Sequence, residues 1–264
     1  MTNRTPKASP QHNSPDAPPP APPGRQADRP VRQASITAGV GILLIAVLAG
    51  FGKFIAVDGL VTPGDAARTA TDILASEGLF RLGVAALSVV VALDVVVAWA
   101  LYRVFGPVST GVSLLAAWFR LVYAGVLLVA VSHLIGVLHL LGDDDYLAAF
   151  NADQLHAQAL IGIHSFGDVF SVGLLLFGLH LLVVGYLAYR SGYVPRLIGV
   201  LLAVAGLGYL VDSFGAILLR DSWTNVSSFT FIGEFLLALW LVVRSPRITS
   251  GSPGLHGDPI AVAR

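Results

Sequence analysis

Residues 111–141 read GVSLLAAWFRLVYAGVLLVAVSHLIGVLHLL, a run of 31 positions with a single formally charged side chain, Arg120. Such a run exceeds the ~20 apolar residues that cross a hydrocarbon core ~30 Å thick. Lipid offers the backbone no hydrogen-bonding partner, so a crossing segment has to be helical. Five more stretches of this character flank it, at 34–56, 79–105, 165–189, 197–219 and 228–243, the last of them short. Hydrophobic residues make up 55% of the 264 and charged residues 12%, against roughly 25% charged in soluble domains. The expected fold class is all-α: a polytopic membrane helix bundle with six transmembrane helices.

Composition also excludes several functions. The chain has no cysteine, which rules out disulfides, thiolate metal sites and cysteine nucleophiles. Sixteen basic and sixteen acidic residues cancel, so no global field argues for nucleic acid, and the expected partner is the lipid bilayer. Residues 1–33 contain nine of the fifteen prolines and no aromatic residue, which predicts a disordered tail. The bundle is expected over 34–244 and a second disordered tail over 245–264. A secretory signal peptide fits poorly, because the first apolar run starts late and is long.

Charge along the chain sets the expected orientation. With the N-terminus inside, the inner segments hold Arg4, Lys7, Arg25, Arg29, Arg32, Arg103, Arg190, Arg196, Arg244, Arg247 and Arg264. The outer segments hold only Lys53, Arg68, Arg81 and Arg220, with most of the acidic residues. The positive-inside rule then places both termini in the cytoplasm. Two outer loops are expected to carry amphipathic helices. One starts from Thr62-Pro63-Gly64-Asp65, with an N-cap and a first-turn proline. The other follows the acidic run Asp143-Asp144-Asp145.

Ionisable groups inside spans are expensive, so each needs a role. Asp94 and Arg120 stand 14 and 12 residues from Val108, at the centre of the turn that joins their spans. The depth difference is about 3 Å, which predicts a buried ion pair; an anionic-ligand role for Arg120 is the alternative. Three- and four-residue steps from Arg120 meet Ser113, Ala116, Ala117, Tyr123 and Ala124, a small and polar stripe that should face the bundle. Asp212 and Glu234 lie eleven residues to either side of Trp223, at one depth. Two such carboxylates ionise together cheaply only with a cation or proton between them. His164 and Asp168 are one helical turn apart and can hold a metal or position a general base. His133 and His180 fall about 140° and 120° around their helices from Arg120 and Asp168, outside the leading cluster.

The candidate pocket is therefore His164, Asp168, Asp212 and Glu234 in the outer half of the bundle, occupied by a cation, a proton or a small ligand. The same four are the candidate ligands of a divalent metal. No catalytic residue is assigned. A non-enzymatic bundle is the first reading, an intramembrane metal-dependent hydrolase the second, and a structural or assembly protein without ligand the third. Oligomeric state is not indicated: small-residue spacings at Ala46…Gly50 and Gly199…Ala203 permit close contacts within a chain or between chains.

Several longer motifs point to a family. They include Asp72-Ile-Leu-Ala-Ser-Glu77-Gly78-Leu-Phe-Arg81-Leu-Gly83, Phe119-Arg120-Leu121-Val122 and Phe177-Gly178-Leu179-His180. They continue with Tyr189-Arg190-Ser191-Gly192-Tyr193-Val194-Pro195-Arg196, Gly206-Leu207-Gly208-Tyr209-Leu210-Val211-Asp212-Ser213-Phe214 and Gly233-Glu234. On these residues the chain resembles the bacterial membrane family catalogued as domain of unknown function 4386, over about 34–244. The resemblance implies a multi-pass membrane protein and no activity. The basic turn from Arg190 to Arg196 also reads as a topology anchor, with anionic-lipid binding as the alternative.

Overall fold

The computed structural model describes residues 24–142, 144–219 and 231–244. The expectations for both tails beyond these bounds, for Asp143 and for the loop around Trp223 lie outside the described residues. The elements are α1 (Gly24–Gly50), α2 (Ala66–Ala75), α3 (Glu77–Phe105), α4 (Thr110–Leu140), α5 (Ala152–Ser191), α6 (Arg196–Leu219) and α7 (Phe231–Val243). No strand occurs among the described residues. Five helical segments are long and apolar enough to cross a membrane: Val31–Leu60, Glu77–Phe105, Thr110–Leu140, Ala152–Ser191 and Arg196–Leu218. The sixth apolar helix, Ile232–Val243, is shorter.

The spans close into a ring. α1 packs on α3, α3 on α4, α4 on α5, α5 on α6, α6 on α7, and α7 back on α1. Alternating chain direction brings the α3–α4 turn, the α5–α6 turn and the start of α1 to one end, here the basic end. That end carries Arg32, Arg103, Arg190, Arg196 and Arg244. The other end is acidic, and its three described basic residues are each paired with a carboxylate: Lys53 with Asp58, Arg68 with Asp72 and Arg81 with Glu77.

Large apolar side chains cover the outside of the bundle, as lipid demands, and the mainly apolar interior encloses a few polar groups. Val47 is 68% exposed and Leu218 75%, whereas Arg120 is 0% exposed and the largest fully buried side chain. Small residues let the backbones approach. Along α5 and α6, Gly178 faces Gly206 and Gly185 faces Gly199 and Ala203, so the Gly199…Ala203 spacing serves a contact within one chain. Ala46 is exposed and nothing approaches Gly50, so that stripe is not used inside the bundle.

Local differences from the expected elements have identifiable causes. α1 starts at Gly24, ten residues before the expected start, and its acidic end continues into a π-helix over Phe51–Val57 and a 3₁₀ turn over Asp58–Leu60. The first outer helix begins at Ala66 rather than Thr62. Asp65 is its N-cap, accepting from the Arg68 amide at 2.9 Å, while Pro63 and Gly64 form the preceding turn with Gly64 at φ 76°. Thr69 closes this turn, its hydroxyl donating to the Asp65 carbonyl at 2.8 Å and accepting from the Thr62 amide at 3.0 Å.

Asn151 and Gln154 form a capping box at the start of α5, and Gly192 at φ 73° ends it 40 residues later. At 1.5 Å per residue α5 is about 60 Å long, twice the hydrocarbon thickness, so its first turns project beyond the membrane.

At the basic end, the Tyr193 hydroxyl donates to the Val104 carbonyl at 2.7 Å, tying the α5–α6 turn to α3. Its ring lies between Phe105 and Trp240, with centroids 6.3 and 6.4 Å away. Burial pushes this phenol above its usual value of 10.0. The stability it contributes is fully present below pH 10 and is lost as the pH rises towards the raised value, because the unfolded chain ionises first. Thermal unfolding in detergent at pH about 9 and about 11 should show a larger fall for the wild type than for Tyr193→Phe. Equal falls would contradict this role.

Candidate functional site

Four ionisable side chains meet inside the ring, one from each of four helices. Asp94 stands 11 residues before the end of α3, Arg120 10 after the start of α4, His180 11 before the end of α5 and Glu234 9 before the end of α7. These offsets place all four roughly 14–17 Å from the basic end, near the centre of a ~30 Å core. The stripe around Arg120 explains why it points inward: Ser113, Ala116, Ala117, Tyr123 and Ala124 are all buried. Small side chains there leave room for a guanidinium between helices.

Arg120 organises the cluster. Its Nε donates to Asp94 Oδ1 at 2.9 Å, and Nη2 lies 2.7 Å from the same oxygen. Its Nη1 donates to Glu234 Oε1 at 3.3 Å and meets His180 Nε2 at 3.2 Å. His180 Nδ1 is 2.8 Å from the Ala116 carbonyl, which can only accept, so Nδ1 carries the proton. Nε2 is then the acceptor for Arg120. The helix carbonyl thus fixes the tautomer, and the tautomer fixes the imidazole as neutral support for the guanidinium.

Two features leave the cluster incomplete. Asp94 Oδ2 is buried and has no hydrogen-bond partner among the described residues. The formal charges are also unequal: two carboxylates surround one guanidinium, leaving an excess negative charge where the dielectric is low.

An aromatic layer lies on the acidic-end side of this hub. Phe177, one turn along α5 from His180, packs its ring 5.4 Å from the Arg120 guanidinium carbon. Its centroid is 4.9 Å from that of Tyr123, 5.6 Å from Tyr209 and 5.9 Å from His180. The positive guanidinium is attracted by the ring face, and the layer separates the hub from the polar groups beyond it. Those groups are Asp212, buried on α6, and Ser213, whose hydroxyl donates to the Ser171 carbonyl at 2.9 Å.

The structure distributes the sequence-derived candidates differently from the expected outer-half pocket. Glu234 belongs to the hub, on Arg120. Asp212 is buried 16 residues along α6, about 24 Å from the basic end. His164 and Asp168 are exposed. They lie 27 and 23 residues from the end of α5, some 40 and 35 Å along the helix from the basic end. Among the described residues no three His, Asp or Glu side chains are grouped to hold a metal. At the hub, Asp94, His180 and Glu234 each contact the Arg120 guanidinium.

His180, which helical rotation placed outside the leading cluster together with His133, belongs to the hub. Its rotation was judged against Asp168, which faces away from the bundle. The usable signal was its distance from the Gly192–Pro195 turn, which matches the distance of Arg120 from the neighbouring turn at the same end.

Residues 37–245 match the family described as Domain of unknown function (DUF4386). The chain belongs to that family. All four hub residues fall inside the part that defines DUF4386. The chain is also similar to a protein of Archaeoglobus fulgidus named only as uncharacterized, with 33% identity over 165 residues, 61% of this chain and 82% of the relative. No solved structure matches the chain.

Proposed function

We propose that this DUF4386 protein is a non-enzymatic integral membrane protein whose mid-membrane hub binds one proton. The observation that carries this is the unequal charge at a buried site: Asp94 and Glu234 share one guanidinium, and Asp94 Oδ2 has no hydrogen-bond partner among the described residues. A proton on Asp94 or Glu234 makes the cluster neutral while His180 stays the neutral acceptor for Arg120. A metal cation is a poorer occupant, because it would face the positive guanidinium at the centre of the site. The orientation that goes with this reading puts the basic end in the cytoplasm of the cell membrane, with both chain ends on that side. The pairing of Lys53, Arg68 and Arg81 with carboxylates supports it, since the acidic end then carries no unpaired basic residue among the described ones.

Potentiometric titration of the purified protein in detergent tests the proposal. Between mildly alkaline and mildly acidic pH, the wild type should take up one more proton per chain than Glu234→Gln, in sodium and in choline salts alike. Superimposable curves would overturn the proposal. Uptake suppressed by sodium alone would make the occupant a metal cation instead.

Helical support for the hub is tested separately. His180→Phe removes the acceptor for Arg120 and the second hydrogen bond on the Ala116 carbonyl, which should cost about 1–3 kcal/mol. His180→Asn, which can donate to that carbonyl and accept from Arg120, should recover part of the loss in thermal unfolding midpoint. No difference between the two variants would count against the hydrogen-bonded role.

A further inference from the structure

We infer that the cleft between α1 and α3 at the basic end is a binding site for the headgroup of an anionic phospholipid. This inference stands apart from the proton reading and needs only that the bundle lies in a bilayer. The cleft has a volume of about 570 Å³ and is lined by Gln33, Ile36, Thr37, Trp99 and Arg103. Its chemistry is graded along the membrane normal. Arg103 is two residues from the end of α3, and Gln33 lies near the start of the apolar part of α1. Trp99 is one turn deeper on α3 and 56% exposed, and Ile36 continues the apolar wall. A cation and an amide at headgroup level, with an indole and an aliphatic side chain below, fit a phosphate followed by its acyl chain.

Arg103 differs from Arg190 and Arg196 at this end. Arg190 and Arg196 lie over the rings of Tyr186 and Tyr189, 5.9 and 5.7 Å from their centroids. Arg103 is exposed and has no carboxylate partner among the described residues, so its charge is directed into the cleft without neutralisation. A long arginine stem can lie along the apolar wall while the guanidinium meets the phosphate, which accepts from it in a fork.

Native mass spectrometry of the detergent-purified protein with added phosphatidylglycerol or phosphatidylcholine provides the test. The wild type should retain a phosphatidylglycerol molecule under conditions that strip phosphatidylcholine. Arg103→Gln should lower that retention roughly fivefold, Arg103→Lys should restore most of it, and Arg196→Gln should change it less than about twofold. Arg103 is exposed and unpaired, so these variants leave the fold intact. Equal retention of the two lipids, or equal losses in Arg103→Gln and Arg196→Gln, would overturn the inference. So would suppression of phosphatidylglycerol retention by an excess of inorganic phosphate, which would make the ligand a free anion.

Discussion

Arg120→Gln should prevent the bundle from folding, the largest effect of any single substitution in the chain. The change removes the cation from between Asp94 and Glu234 and leaves one buried and one half-buried carboxylate unpaired near mid-membrane. Breaking a buried ion pair by removing one partner costs about 3–5 kcal/mol, a large share of the ~5–15 kcal/mol that stabilises a typical fold. Asp94→Asn is expected to be milder, because Arg120 keeps Glu234 and His180. Glu234→Gln should be mildest, since it removes the longer contact, 3.3 Å against 2.7 Å, and corrects the charge excess. The informative comparison is the triple variant with Asp94→Asn, Arg120→Gln and Glu234→Gln. It should fold better than Arg120→Gln alone, as judged by monodisperse protein recovered from membranes and by its unfolding midpoint. Arg120→Gln and Asp94→Asn together should recover less than the triple, because Glu234 still lacks its partner. A triple variant as damaged as Arg120→Gln would mean that Arg120 acts by packing alone.

The second large effect is steric and lies where α5 meets α6. A Cβ at Gly206 would stand 2.6 Å from the Gly178 carbonyl and 2.9 Å from the Leu182 amide, both backbone groups that cannot rotate away. Gly206→Ala therefore has to separate two helices that are in contact at four glycines. Overpacking of this kind costs about 1–3 kcal/mol, and Gly206→Leu should cost more. The separation also displaces Gly178, two residues from His180, so hub geometry should change with it. Gly125 and Gly136 on α4 provide the control. Nothing approaches within 4 Å of either, and replacement by Ala should be neutral or stabilise by up to about 1 kcal/mol through helix propensity. Thermal unfolding of the three alanine variants checks this, and a Gly206→Ala variant as stable as the controls would contradict the close contact.

These effects show which parts of the protein were legible in its sequence. Hydropathy and length specify helices in lipid almost by themselves, so the six apolar elements and their order were readable from runs such as 111–141. The proximity of Asp94 and Arg120 was also accessible, because a four-residue turn ties their depths together. The remainder of the hub depends on ring closure. Glu234 reaches Arg120 only because α7 packs between α6 and α1, a long-range choice made by the contacts of Gly233 with Leu201 and of Gly39 with Ala238. Nothing local to Glu234 encodes that. His164 and Asp168 were misplaced for a different reason: hydropathy marks where a helix is apolar, not where it begins. The capping box at Asn151 starts α5 well before its most apolar part, and both residues lie on the exposed face of that earlier stretch. Gly199…Ala203 and Ala46…Gly50 look alike as spacings, yet only the first meets a partner within the chain.

The central claim is that a carboxyl group in the Arg120 hub holds a proton inside the membrane. Infrared difference spectroscopy of the purified protein across a pH step reports this directly, because a protonated carboxyl has a carbonyl stretch distinct from that of a carboxylate. The account predicts a carboxylic-acid band in the wild type that persists after Asp212→Asn and is lost or shifted in Glu234→Gln or Asp94→Asn. A difference spectrum without such a band, or one left unaltered by both hub substitutions, would contradict it.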